Sequence, residues 1–215
     1  MKYKTIAVIG LGQFGTTIAK MLASMNHEVL GVDINPEIVQ KVSPYVTHAI
    51  VADTTDEEAI KALALSQFDI VIVAIGDNIQ ANLMTSMLLK EMMPHVVSKA
   101  ENALQGKMLK KMGVDMVIYP EYDVAQRLAQ SLTREHVMDY LQLSKSISLI
   151  EVDMPKFLVG TCLKDSNLRE KYNLNAVGIR RGEDLEVPPN PFTILSAEEK
   201  LLIIGNNSDL DALTV

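Results

Sequence analysis

Thr5-Ile6-Ala7-Val8-Ile9-Gly10-Leu11-Gly12-Gln13-Phe14-Gly15 decides how the rest of the chain is read. An apolar, β-branched run stops at three glycines spaced G-x-G-x-x-G, and a helical pattern follows directly, with Phe14, Ile18, Leu22 and Met25 on one face. Strand, tight turn and helix in that order give each glycine a task. Gly10 allows the turn, Gly12 lets the backbone approach a phosphate, and Gly15 lets the helix pack against the strand. The N–H groups of the first helical turn then face an anion. Glu28-Val29-Leu30-Gly31-Val32-Asp33 is a second strand, ending in a carboxylate 18 residues past Gly15. That is near the roughly 20 residues expected for an acidic group that grips ribose hydroxyls. The overlapping G-x-x-x-x-G is followed by Thr16 and Thr17 and lacks the lysine of a P-loop, which argues against a Walker-type triphosphatase.

The pattern repeats down the chain. Asn35 caps a helix that starts at Pro36 and runs to Val42. Strands at Thr47 to Asp53, Phe68 to Ile75, His95 to Lys99 and Asp115 to Tyr119 alternate with helices. One helix spans Glu57 to Leu65; the next carries Ile79, Leu83 and Met87 with Met84, Leu88 and Met92 beside them; a third carries Leu104, Met108 and Met112 and closes at Gly113. Six strands alternating with helices predict an α/β fold, a Rossmann-like doubly wound parallel sheet. Ligands of such sheets bind beyond the carboxyl ends of the strands, where Gly12, Asp33, Asp53, Thr54, Gly76, Asn78, Lys99 and Glu121 gather. Taken singly, Asp53 and Asn78 read equally well as helix caps or turn formers.

A helix from Asp123 carries Val124, Leu128 and Leu132, and the apolar cluster Val137, Met138, Tyr140, Leu141 and Leu143 follows at helical spacing. This predicts a linking helix over 135–145 whose apolar side suits a partner subunit. Short alternating strands follow at Ser148 to Val152, Ala176 to Arg180, Leu185 to Val187 and Leu201 to Ile204, with a polar helix at Leu163 to Tyr172. The expected organisation is a nucleotide-binding lobe over 1–134, the linker, and a small α+β lobe over 146–215.

Composition narrows the function. Of 215 residues, 48% are hydrophobic and no apolar run reaches the ~18 needed to span a membrane, so a cytoplasmic protein is expected. The one cysteine, Cys162, excludes an intrachain disulfide, and the four histidines lie at no metal-ligand spacing. A net charge of -7 argues against a nucleic-acid partner, because phosphate contacts need cations. There is no G-x-S-x-G elbow, H-E-x-x-H helix or His–carboxylate pair at useful spacing. The C-terminal lobe is too small to be a dehydrogenase's substrate domain. A non-enzymatic binding module fits these features, and an NAD(P)-dependent oxidoreductase is the alternative.

The ordered set formed by residues 6–15, Gly31-Val32-Asp33, residues 52–56, residues 71–76 with Asn78-Ile79-Gln80, Ser98-Lys99-Ala100, and residues 111–115 through Tyr119-Pro120-Glu121 resembles the RCK domain, the regulator of potassium conductance, in its Ktr/Trk form. Residues 168–175, Ile179-Arg180-Arg181-Gly182 and Pro188-Pro189 resemble that family's C-terminal lobe. The resemblance implies a cytosolic gating subunit of a potassium channel or transporter. In the family, homodimers assemble into an octameric ring beneath a membrane-embedded subunit, and exchange of ATP for ADP, or NAD for NADH, changes the ring. It implies Gly10, Gly12 and Gly15 at the phosphates, Asp33 at the ribose, Asp53 and Thr54 beside the adenine and Lys99 near the phosphate tail. Gln13, Phe14, Ile75, Gly76 and Asn78 lie within the same matched motifs and are counted with the site. Glu121 matches a carboxylate that holds a divalent cation between two subunits. Arg169, Asn175 and Pro189 match stretches that face cyclic di-AMP in relatives; the lobe would otherwise be a dimerisation surface alone. Two departures stand out. The family's loop has arginine where this chain has Gln13, and a neutral amide cannot make the bidentate, charge-assisted contact to a terminal phosphate that arginine makes, which favours ADP, AMP or a dinucleotide over ATP. Glu198-Glu199-Lys200 replaces a Gly-Asp turn.

Overall fold

A computed structural model describes residues 3–92, 95–133, 137–144 and 146–213. The chain divides into two compact units, 1–121 and 122–215.

In the first unit, β1 (Thr5–Ile9), β2 (Glu28–Asp33), β3 (His48–Val51), β4 (Ile70–Val73), β5 (Val96–Lys99) and β6 (Met116–Ile118) form one parallel sheet. Its order is β3-β2-β1-β4-β5-β6, so the chain reverses its direction of travel across the sheet between β1 and β4. Successive residues of a strand face opposite sides, and β1 shows this directly. Ala7 and Ile9 join one core with Ile60, Leu89 and Leu109; Ile6 and Val8 join another with Ala19, Val39 and Val42. The first core lies under α3 (Glu57–Ala62), α4 (Ile79–Met92) and α5 (Ala103–Lys111), the second under α1 (Gln13–Ser24) and α2 (Pro36–Val42). Covered on both faces, the central strands are apolar throughout. Asn35 caps α2 by accepting the Glu37 N–H at 2.9 Å, and Asp56 caps α3 through Glu58 at 3.0 Å. α3 ends at Ala62, short of the expected Leu65, where Ala64 turns to a left-handed φ of 48°.

Two helix faces differ from their apolar pattern. α4 buries Asn82, Thr85, Ser86 and Leu89, while Met84, Met87 and Met92 are exposed; α5 buries Gln105, Gly106 and Leu109, while Leu104 and Met108 are exposed. Short polar side chains let these helices approach the sheet closely, and their buried groups bond to one another.

The second unit holds an antiparallel sheet in the order β10-β9-β11-β8-β7, built from β7 (Val137–Gln142), β8 (Ile147–Asp153), β9 (Asn175–Arg181), β10 (Asp184–Glu186) and β11 (Lys200–Asn206). Ile150, Val152, Ile179, Leu201 and Ile203 pack with Leu168 of α7 (Leu168–Tyr172) and with Leu210 and Leu213 of α8 (Asn207–Leu213). The linking helix expected over 135–145 does not form over its described central part. Val137–Gln142 is a strand paired with β8, and residues 134–136 and 145 lie outside the described residues. A short apolar run fits either period, and pairing with a neighbouring strand decides. α6 (Pro120–Thr133) begins in the first unit and continues into the second, so the division falls at 121 rather than at 134. Glu199, within the departing turn, is buried and accepts from Arg181 Nε and from the Ser196 N–H, so a carboxylate shapes that corner.

Candidate functional site

The glycine loop sits at the carboxyl end of β1, next to the place where strand order reverses. Gly10 adopts φ +86°, and a side chain on it would press on the Ile75 backbone. At Gly15 a Cβ would overlap the Gly10 carbonyl oxygen, so glycine is what lets α1 begin so close to the turn. Gly12 differs: a Cβ there would meet nothing within 4 Å, because its free side opens into a cleft. It is the N-cap of α1 and offers no capping side chain, and nothing acidic lies in the first turn. The positive end of the helix dipole therefore remains available to an anion from outside.

Asp33 supports this loop. Its Oδ2 accepts the Leu11 N–H at 2.6 Å and its Oδ1 the Asn35 N–H at 2.8 Å, tying the loop to the turn after β2. Each oxygen keeps a lone pair for a ribose hydroxyl. After β3, the Asp53 Oδ1 accepts from the Thr55 hydroxyl at 2.7 Å and the Thr55 N–H at 2.9 Å. These two bonds, the hydroxyl's first, hold the Asp53 carboxyl below the usual range. The buried Thr54 hydroxyl is engaged with Thr85 Oγ1 at 2.9 Å.

Across the cleft, the tips of β4 and β5 are held by Asn82, which sequence reasoning missed. Its Nδ2 donates to the carbonyls of Ile75 (3.0 Å) and Lys99 (3.1 Å), and its Oδ1 accepts from Ser98 and Gln105. Fully buried and fully bonded, it fixes the spacing of two strand ends. Asn78 caps α4 through the Ala81 N–H at 2.9 Å. Lys99 is almost buried, and its ammonium lies 2.6 Å from Glu121 Oε1 at the start of α6. That bond holds the Glu121 carboxyl below the usual range, against a smaller opposing effect of burial. Gly76 leaves room for the ammonium: a Cβ there would sit 3.0 Å from it.

These groups surround a cleft of about 740 Å³, a size suited to a nucleotide. Gly10, Gly12, Gln13, Phe14, Asp33, Asp53, Thr54, Ile75, Gly76, Asn78, Lys99 and Glu121 all line it; Gly15 is instead on the buried side of the first turn of α1, against the Gly10 carbonyl. Arg169, Asn175 and Pro189 belong to the second unit, where Arg169 and Asn175 are exposed and Pro189 is half-buried. No group of three or more His, Cys, Asp or Glu among the described residues is arranged to hold a metal, and the Glu121 carboxylate is engaged by Lys99.

An uncapped glycine loop beside a strand-order reversal marks the Rossmann-like class of nucleotide-binding domains. The TrkA-N domain model matches residues 6–120 and the TrkA-C domain model residues 147–214. The chain is 41% identical to Ktr system potassium uptake protein C of Bacillus subtilis over 208 residues, covering 96% of this chain and 94% of the relative. It is equally identical to Ktr system potassium uptake protein A of the same organism over 211 residues, 98% and 95% of the two chains. The chain belongs to this family of Ktr/Trk potassium uptake proteins. Among solved structures it resembles the GsuK RCK domain, with a TM-score of 0.70 at 17% identity over 99% of this chain. It also resembles the GsuK channel bound to NAD, with a TM-score of 0.67 at 18% identity over 99% of this chain. It spans about half (48%) of the first of those chains and 39% of the second.

Proposed function

We propose that this chain is a non-enzymatic, ligand-sensing regulatory subunit of a potassium channel or transporter, controlled by an adenine nucleotide in the cleft of its first unit. The observation that carries the reading is the uncapped glycine loop opening into a nucleotide-sized cleft, on a chain that matches potassium uptake proteins along nearly its whole length. Gly10, Gly12 and the first turn of α1 take the phosphates, Asp33 the ribose, and Asp53 with Thr54 the adenine. Gln13 favours ADP or a dinucleotide over ATP. Homodimers assemble into an octameric ring at the inner face of the membrane, against a membrane-embedded partner subunit. In this reading the permeation path belongs to that partner; no helix among the described residues is long and apolar enough to cross a membrane. The second unit adds a control by cyclic di-AMP through Arg169, Asn175 and Pro189, which calorimetry on the full chain tests. A ligand moves such a ring only by its differential affinity for two shapes.

Light scattering with and without ATP, ADP and NAD tests the assembly. A particle of about eight chain masses of 23.7 kDa, changing shape with nucleotide, supports the reading. A dimer indifferent to all three, together with turnover of NADH, returns the chain to the oxidoreductase class.

A further inference from the structure

Five carboxylates line the cleft (Asp33, Asp53, Asp77, Glu101 and Glu121), and Lys99 is the one cationic side chain among the described residues that does. Besides the N–H groups of the glycine loop, a phosphate entering this space therefore meets one cationic side chain, and that ammonium is already neutralised by Glu121 at 2.6 Å. The two partners are unlike. The Lys99 side chain is 10% exposed and the Glu121 side chain 67%. The Lys99 carbonyl is held by Asn82, and its ammonium lies close against Gly76, where a Cβ would come within 3.0 Å of it. The lysine is fixed in the cleft wall; the glutamate is the member free to leave.

We propose that Glu121 is a tethered internal anion that a nucleotide's phosphate group displaces from Lys99. The inference rests on the nucleotide reading above. A buried ammonium needs a counter-charge, since an unpaired charge there is costly, and in the empty cleft Glu121 supplies it. When a phosphate oxygen takes the ammonium, Glu121 is released at the first turn of α6, the helix that continues into the second unit. Occupancy of the cleft is thereby converted into a changed charge state at the start of that helix. The same competition sets specificity. Ligands without a phosphate cannot displace Glu121, so the exchange discriminates nucleotides from nucleosides.

Calorimetry on the full chain in EDTA, with ADP and adenosine as probes, tests this on wild type, Glu121→Gln and Lys99→Met. Glu121 is largely exposed, so Gln fits without a clash and its amide oxygen can still accept from the Lys99 ammonium; urea unfolding checks that the variant is folded before its affinities are read. Removing the competitor is expected to tighten ADP by about five- to tenfold, the scale of a half-exposed charge pair, and to leave adenosine unchanged. Lys99→Met is expected to weaken ADP and to abolish the effect of a second change at Glu121. The exchange is overturned if Glu121→Gln leaves ADP affinity unchanged, weakens it, or shifts ADP and adenosine alike. A wild-type chain that binds neither probe fails the nucleotide reading itself, which is a different outcome.

Discussion

Gly12→Ala separates the two jobs that glycines do in the phosphate loop. At Gly12 the backbone is at φ −62° and ψ −167°, a conformation alanine adopts freely, and the added methyl meets nothing within 4 Å. Folding stability should therefore hold, or rise by the ~0.4–1 kcal/mol that comes from restricting the unfolded chain. Nucleotide affinity should not hold, because the methyl occupies the side from which a phosphate reaches the first-turn N–H groups. Each charge-assisted bond lost there is worth ~1.5–3 kcal/mol, so losing one weakens binding by about ten- to a hundredfold. Gly15→Ala is the counterpart. Its methyl would overlap the Gly10 carbonyl oxygen, so α1 must shift, at an overpacking cost of ~1–3 kcal/mol. Urea unfolding gives the stabilities and calorimetry with ADP, ATP and NAD the affinities. The reasoning is refuted if Gly12→Ala binds all three nucleotides as wild type does, or if it unfolds as readily as Gly15→Ala.

Three further outcomes are expected of the same fold. Asp33→Ala removes the acceptor of the Leu11 and Asn35 N–H groups, and should lower affinity for ADP at least tenfold by loosening the loop and losing the ribose contact together. Gln13→Arg should raise ATP affinity relative to ADP, and an unchanged ratio in a competition titration would contradict the phosphate-contact reading of that position. Asp115 Oδ2 accepts from Lys90 Nζ at 2.7 Å and from the buried Val96 N–H at 2.8 Å, and these bonds, Lys90's first, lower its carboxyl pKa. A lowered pKa gives stability that is present above the unfolded value near 3.8 and lost as pH falls through the folded value. Asp115→Ala should cost ~1–3 kcal/mol at neutral pH, mainly by leaving the Val96 N–H unpaired. The gap to wild type, measured by urea unfolding, should narrow below pH ~4.

Much of the first unit was legible because its signals are local. The glycine spacing, Asp33 and the alternation of apolar runs with capped helices gave the order of elements, and strand ends placed Asp53, Asn78 and Lys99 on one edge. The buried face of α4 was not, because counting hydrophobes points to Met84 and Met87, whereas packing chose Asn82, Thr85 and Ser86. The available signal was that these small polar residues recur at i, i+3 and i+4. The Lys99–Glu121 pair joins residues on different strands' exits, a proximity set by the adjacency of β5 and β6 rather than by spacing. Helix α8 is only seven residues, and its buried Leu210 and Leu213 carry too little periodicity to announce it. β7 was misread because its period is ambiguous until its partner strand is known.

The most direct measurement is potassium flux through a Ktr-type membrane subunit in proteoliposomes, with this chain added in the presence and absence of ADP, ATP or NAD. Flux that changes with nucleotide for the wild-type chain, and loses that change for Gly12→Ala while the assembled complex persists, is the predicted result. Flux that is the same with and without every nucleotide, although the chain is bound to the membrane subunit, would contradict it.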